Sequence, residues 1–253
     1  MTEPATELVQ LEVVDGIATI TLDSPHNRNA LSRQLVSELV NHLTTVGEGD
    51  EAKVVVLRSS GRVFCSGADL TEASTVPLEE GLRTIAAVQR QILSLPQPVV
   101  TVVEGAARAG GIGIVAASDI AIVAEDATFA LTEVKLGLAP AIISLTVFPR
   151  MTQRAASLTA LGGEVFSGVD AAAYGLVTKA VPADELAAAV EAVVASLATG
   201  AAQGLRETKA LLNAPLIADI GERTDELAAL SGRLFASDEA REAMIAFLNR
   251  KKG

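Results

Sequence analysis

The sequence predicts an α/β fold of repeated strand-strand-helix units followed by a helical C-terminal region, and three observations predict it. Val54-Val55-Val56-Leu57 and the stretch Val99 to Val103 are continuous apolar runs rich in β-branched residues, the pattern of strands buried on both faces of a sheet. Apolar residues at helical spacing lie between these runs. From Asp184 onward the composition turns alanine-rich and helical, with no strand candidate.

In order along the chain, Leu11 to Ile20 holds two apolar runs around Asp15-Gly16, a short hairpin signal. Ser32 can cap a helix whose Leu35, Val36, Leu39, Val40, Leu43 and Val46 fall on one face. The run at Val54 feeds a loop, Phe64-Cys65-Ser66-Gly67-Ala68-Asp69-Leu70. A second helix is expected from about Leu78 to Leu93, stopped by Pro96 and Pro98. The run at Val99 then enters a glycine loop, Gly105 to Gly113, with a helix expected to begin near Gly110. A strand at Ile120 to Val123 and a short one near Phe129 follow. Helical segments are expected over Glu185 to Leu197, Leu205 to Leu212 and Asp238 to Asn249, which places a domain of residues 1–195 before a helical region of residues 196–253.

Composition narrows the function classes. At 253 residues and 49% apolar, the chain can bury a large core. A formal charge of -11 with no long basic run argues against a nucleic-acid surface, so anionic ligands must be met locally. A single cysteine and two histidines, His26 and His42, offer no disulfide and no zinc spacing, and no metal is expected. No apolar run reaches the roughly 18 residues of a membrane span and Met1-Thr2-Glu3-Pro4 does not resemble a signal peptide, so no membrane partner and a cytoplasmic address are expected.

The two loops are where chemistry is expected. Each offers glycine-loosened amides after a buried strand, and the second leads into a helix whose free N–H groups and positive dipole end suit an anion. A lone glycine pair would read as a tight turn; two such loops can hold one oxyanion between two amides. Glu133 is the only carboxylate in Phe129 to Leu138, and its apolar neighbours would raise its pKa toward the range of a general acid/base, although a Glu beside Lys135 can also be a surface partner. Cys65 reads as a small core residue, and Asp69 and Asp119 as caps for backbone donors.

These segments, with Asn27-Arg28-Asn29-Ala30-Leu31, Ser118-Asp119-Ile120-Ala121, Phe129 to Pro140 and Phe235 to Lys251, resemble the crotonase (enoyl-CoA hydratase/isomerase) family over nearly the whole chain. The resemblance implies a spiral of β-β-α units with a C-terminal trimerisation region, a trimer or hexamer, and an acyl-CoA substrate whose coenzyme A is part of the substrate rather than a separate cofactor. It places the amides of Ala68 and Gly110 at the thioester oxygen and makes Glu133 one of the two glutamates of the hydratases. It assigns coenzyme A to Arg28, Ala30, Ser66, Ala68, Asp69, Leu70 and Gly110, with Phe235 and Lys251 folding over it. Gly113 stands where two-glutamate members carry the other acid, which implies vacated volume, and Ile142 and Ile143 add apolar surface. Arg108 replaces an apolar residue and could meet a substrate charge or solvent. The implied reaction is hydration of a 2-enoyl-CoA; a Δ3,Δ2-enoyl-CoA isomerase, a hydratase-lyase and a non-catalytic acyl-CoA-binding trimer are the alternatives.

Overall fold

The computed structural model describes residues 6–69, 72 and 78–250. Strands β1 (Val9–Val14) and β2 (Ile17–Leu22) pair antiparallel, and the turn between them puts Asp15 at φ 51° and Gly16 at φ 79°. Two left-handed residues are what a two-residue hairpin needs, and Asp-Gly tolerates both. Helix α1 (Arg33–Glu48) starts where Ser32 accepts a hydrogen bond from Leu35 N–H, and it buries Leu35, Val36, Leu39, Leu43 and Val46.

Three further strand-strand-helix units follow. They are β3 (Val54–Ser59), β4 (Val63–Cys65) and α2 (Leu78–Ser94); β5 (Val99–Val103), β6 (Ala106–Arg108) and α3 (Gly110–Ala117); then β7 (Ile120–Ala124), β8 (Thr128–Ala130) and α4 (Ala141–Arg150). In each unit the first strand joins a six-stranded sheet and the second a four-stranded one. β3, β5 and β7 are parallel neighbours in the first sheet, and β4, β6 and β8 in the second. After α5 (Gln153–Gly162), β9 (Val165–Ser167) closes the small sheet antiparallel to β8. Past α6 (Gly168–Ala173), β10 (Lys179–Val181) joins the large sheet beside β7. The β5 residues are all buried, as are Val54 to Leu57 of β3, which is why these runs show no polar alternation.

The C-terminal region is α7 (Leu186–Ala198), α8 (Ala202–Phe235) and α9 (Asp238–Arg250). Residue 195 falls inside α7, which packs on β3, β5 and β7. The helix expected over Leu205 to Leu212 is one part of α8, whose 34 residues run through Pro215 and lie across α2 and α4. Its buried positions include Lys209, Asn213, Ile220, Leu227 and Ser231, spaced by four and seven. The periodicity is helical, but polar residues occupy much of it, so apolar spacing alone could not reveal its length. Among the described residues, no single helix is long and apolar enough to cross a membrane.

Candidate active site

The second strands of successive units aim three loops to one side of the small sheet. β4 runs into Ser66-Gly67-Ala68, β6 into Ala109-Gly110, and β8 into Leu131-Thr132-Glu133. The parallel order β4, β6, β8 puts these loops side by side at roughly the 4.8 Å strand spacing, outside the carboxyl ends of the strands.

The first two loops interlock through glycines. Gly67 has φ 96°, and a Cβ there would stand 2.9 Å from Ala109 Cβ and 3.8 Å from the Gly110 nitrogen. A Cβ on Gly111 would lie 2.7 Å from Cys65 Cβ and 2.8 Å from Cys65 O. Side chains at either place would force the loops apart. Neither Ala68 N–H nor Gly110 N–H donates to a protein group among the described residues. Gly110 opens α3, where the first amides have no intrahelical acceptor.

Among loop residues with left-handed φ here, Ala109 was not anticipated: it sits at φ 44°, ψ -120°, whereas Gly105, Gly110 and Gly111, expected to supply that freedom, have no positive φ. The torsions of Ala109 set the direction of the following Gly110 N–H, so backbone strain in a non-glycine residue orients the proposed donor. No composition or spacing signal marks such an alanine.

The Asn27–Leu31 segment is tied to the first loop. Leu31 N–H donates to Gly67 O at 2.8 Å, Ser66 N–H to Arg28 O at 3.1 Å, and Asn27 Nδ2 to Asp69 Oδ2 at 3.2 Å. Asn29 accepts from Ser24 N–H and donates to Val63 O, and both it and Arg28 are left-handed, at φ 53° and 60°. Arg28, Ala30, Ser66, Ala68, Asp69 and Gly110 are thereby gathered at one place, Arg28 exposed and Ala30 buried. Leu70 and Lys251 lie outside the described residues. Phe235 ends α8; from α9, Ala240 reaches the third loop, its Cα 3.0 Å from where a Cβ on Gly137 would be.

Glu133 begins a 3-10 turn, Glu133–Leu136, closed by Gly137 at φ 69°. Its Oε2 is buried with no hydrogen-bond partner among the described residues. Burial pushes its carboxyl above the usual range, partly offset by a bond from its own backbone amide. Lys135 instead pairs with Glu164 at 2.7 Å, so the surface-partner reading of Glu133 does not hold.

One expectation around the site is corrected, and Arg108 gains a structural account. Gly113 leaves no vacated volume: a Cβ there would be 2.9 Å from Ile143 Cγ2, 3.1 Å from Gln89 Cδ and 3.2 Å from Gln89 Nε2. Gln89 is fully buried and its Oε1 accepts from Thr146 Oγ1 at 2.6 Å. A neutral amide-hydroxyl pair and a methyl group thus fill the space beside α3, a feature that nothing in the Gln89 segment signalled. Arg108, expected to meet a substrate charge or solvent, is held by the sheet itself. It is half-buried and donates to Ala107 O, Thr128 O and Thr128 Oγ1 at 2.8, 2.5 and 3.0 Å, tying β6 to β8. Cys65 is buried, with its thiol pushed up to about 12, so it is a packing residue under the first loop.

The family model for enoyl-CoA hydratase/isomerase matches residues 12–253. The chain is 33% identical to the probable enoyl-CoA hydratase of Rhodobacter capsulatus over 247 residues, 96% of this chain and 95% of that one. It is 28% identical over 256 residues to the 1,2-epoxyphenylacetyl-CoA isomerase of Escherichia coli, covering 97% of each. The crystal structure of an enoyl-CoA hydratase from Mycobacterium avium superposes with a TM-score of 0.91 at 41% identity, covering 97% of both chains. With two interlocked amide loops and a carboxylate of buried oxygen in the loop after the next strand, these likenesses show that the chain belongs to the enoyl-CoA hydratase/isomerase family, within the crotonase superfamily.

Proposed function

We propose that the chain hydrates a 2-enoyl-CoA thioester. The observation that carries this reading is the buried Glu133 Oε2, unpartnered among the described residues, in the loop one strand over from the undonated Gly110 amide and two strands over from that of Ala68. Ala68 and Gly110 N–H hold the thioester oxygen, which gains negative charge as water adds at the β-carbon; one such donor is worth about 10²- to 10³-fold in rate. Glu133 takes a proton from the attacking water and returns one to the α-carbon. Arg28, exposed beside the first loop, suits the coenzyme A phosphates.

A second reading is favoured by the Gly113 region. Gln89 and Ile143 fill the place of a second acid, and proton transfer by one carboxylate suits a Δ3,Δ2-enoyl-CoA isomerase, in which Glu133 carries a proton between α- and γ-carbons. The test follows the enoyl absorbance with a short 2-enoyl-CoA and a 3-enoyl-CoA. Loss on the first is the expected hydration; gain on the second alone marks isomerisation; silence on both leaves an acyl-CoA-binding protein and overturns both enzymatic readings.

The assembly is proposed to be a trimer or a hexamer. Leu158 and Leu161 of α5 and Leu211 and Leu212 of α8 are 64%, 76%, 80% and 70% exposed, two pairs of apolar side chains that contacts between subunits would cover. Light scattering should give three or six chain masses; a stable monomer at micromolar concentration would end this proposal.

A further inference from the structure

α3 carries the Gly110 amide at its N-terminal end, and a cation sits on its C-terminal end. Carbonyls of its last turn find partners beyond the helical ladder: Ser118 Oγ donates to Ile114 O at 3.1 Å, Ser118 N–H to Val115 O at 3.2 Å, and Arg150 Nε to Ala116 O at 3.0 Å. Arg150 Nη2 also reaches Ser118 O, just past the helix, at 3.4 Å. Arg150 is the last residue of α4, so the next unit of the spiral places a guanidinium on the negative end of the helix whose positive end faces the proposed oxyanion.

The charge balance around Arg150 points the same way. Asn213 of α8 accepts from Arg150 Nη2 at 3.4 Å and donates to Asp119 Oδ1 at 2.9 Å, while Lys209 pairs with Asp119 at 2.8 Å. Two cations share one carboxylate, which leaves this cluster with a positive charge in excess. Burial lowers the Arg150 pKa and Asp119 partly offsets that, yet a guanidinium stays protonated near neutrality. All the residues of α3 are buried, so water screens little of the field along it.

We propose that Arg150 is a positioning residue for the reaction: it anchors α3 by its last carbonyls and outweighs the negative helix end, so that the positive end at Gly110 acts on the thioester oxygen undiminished. At 1.5 Å per residue the helix is about 12 Å long, which sets the guanidinium about 15 Å from that oxygen. A unit charge at about 15 Å changes the stability of an oxyanion about sixfold at an effective dielectric near 20. The ground-state carbonyl carries less charge and gains less, so the effect falls on kcat.

The inference rests on the placement of the thioester oxygen at Ala68 and Gly110. Its test is infrared difference spectroscopy of the full chain with butyryl-CoA labelled with carbon-13 at the thioester carbonyl, a saturated ligand that cannot add water, beside kcat and KM on an enoyl-CoA. Amide donors and positive potential at the oxygen lower the carbonyl stretch of the bound thioester. Arg150→Met should shrink that lowering and cut kcat about sixfold or more at unchanged KM. Arg150→Lys keeps the charge and should recover most of both, even where its melting point stays low. Should the Met variant fail to fold, Arg150→Gln, neutral but still able to donate to Ala116 O, makes the same comparison. A neutral variant whose bound carbonyl band coincides with the parent's, or a Lys variant no better than the neutral one, overturns the proposal and leaves a purely structural arginine. No lowering in the unaltered chain overturns the placement of the thioester oxygen itself, and the inference with it.

Discussion

Glu133 combines two demands that oppose each other. A carboxyl whose pKa is raised by burial is more ready to carry protons near neutrality, and it destabilises the fold for the same reason. Below its unfolded pKa the group is protonated in both states and adds nothing; as pH rises past that value, the folded state bears the cost of a desolvated charge. Glu133→Gln should therefore lose about 10²- to 10⁴-fold in turnover while binding acyl-CoA, and should melt higher than the parent at pH 7 to 8. That thermal advantage should fade toward pH 4, and a variant less stable at pH 8 would contradict the buried charge. Glu133 was legible as the one carboxylate in an apolar string. Ala109 was not, because its strain arises from two loops that meet only in the fold. Ala109→Gly relieves a left-handed φ at the modest entropic cost of glycine, so it should stabilise by about 1 kcal/mol in a denaturant titration, and a loss of stability would show that Ala109 is unstrained.

At the scale of elements, α2, α3 and α4 meet around Gly113. Ile85 and Gln89 of α2 cover Gly110 and Gly113 of α3, one helical turn apart on each, while Ile143 and Thr146 of α4 close the third side. Restoring the acid with Gly113→Glu puts a charged side chain into occupied space, and its cost should exceed about 3 kcal/mol. Gln89→Ala makes room, so the double variant should be more stable than the sum of the two single changes by at least about 1 kcal/mol. Thermal melts of the three variants decide this; additive effects would mean that Gln89 does not occupy the space an acid would need. The α3 start at Gly110 was legible from the strand-to-glycine junction. The crowding at Gly113 was not, since Gln89 lies 24 residues upstream of it in sequence and is polar.

Across the whole molecule, a buried polar network fastens α8 to the spiral. Lys209 Nζ donates to Ile92 O at 2.8 Å and Gln97 O at 2.9 Å, and pairs with Asp119 at 2.8 Å. Asn213 donates to Asp119 Oδ1 and Leu93 O, and Asp119 also accepts from Val99 N–H, the strand-entrance bond expected of it. Burial lowers the Lys209 pKa despite the neighbouring Asp119, so desolvation outweighs attraction there. Removing one partner leaves the other charge stranded: Lys209→Met should destabilise by about 3–5 kcal/mol, against at most about 1 kcal/mol for Arg62→Ala at the exposed Arg62–Asp126 pair. Similar melting points for the two variants would refute the anchoring role.

The sequence by itself determined the alternation of strands and helices, the two amide loops and the lone glutamate. Each rests on local signals: β-branched runs, Asp-Gly and glycine turns, and a carboxylate among apolar residues. The third dimension decided which residues share a place. The order of β4, β6 and β8 sets the Glu133 loop in the same row as the Ala68 and Gly110 loops, although 65 positions separate Glu133 from Ala68 in the chain. The length of α8 depended on tertiary contacts because its buried stripe opens with Lys209 and Asn213, polar groups whose partners, the carbonyls of Ile92 and Leu93 at the end of α2, that of Gln97 just past it and the carboxylate of Asp119, come together only when the chain is folded.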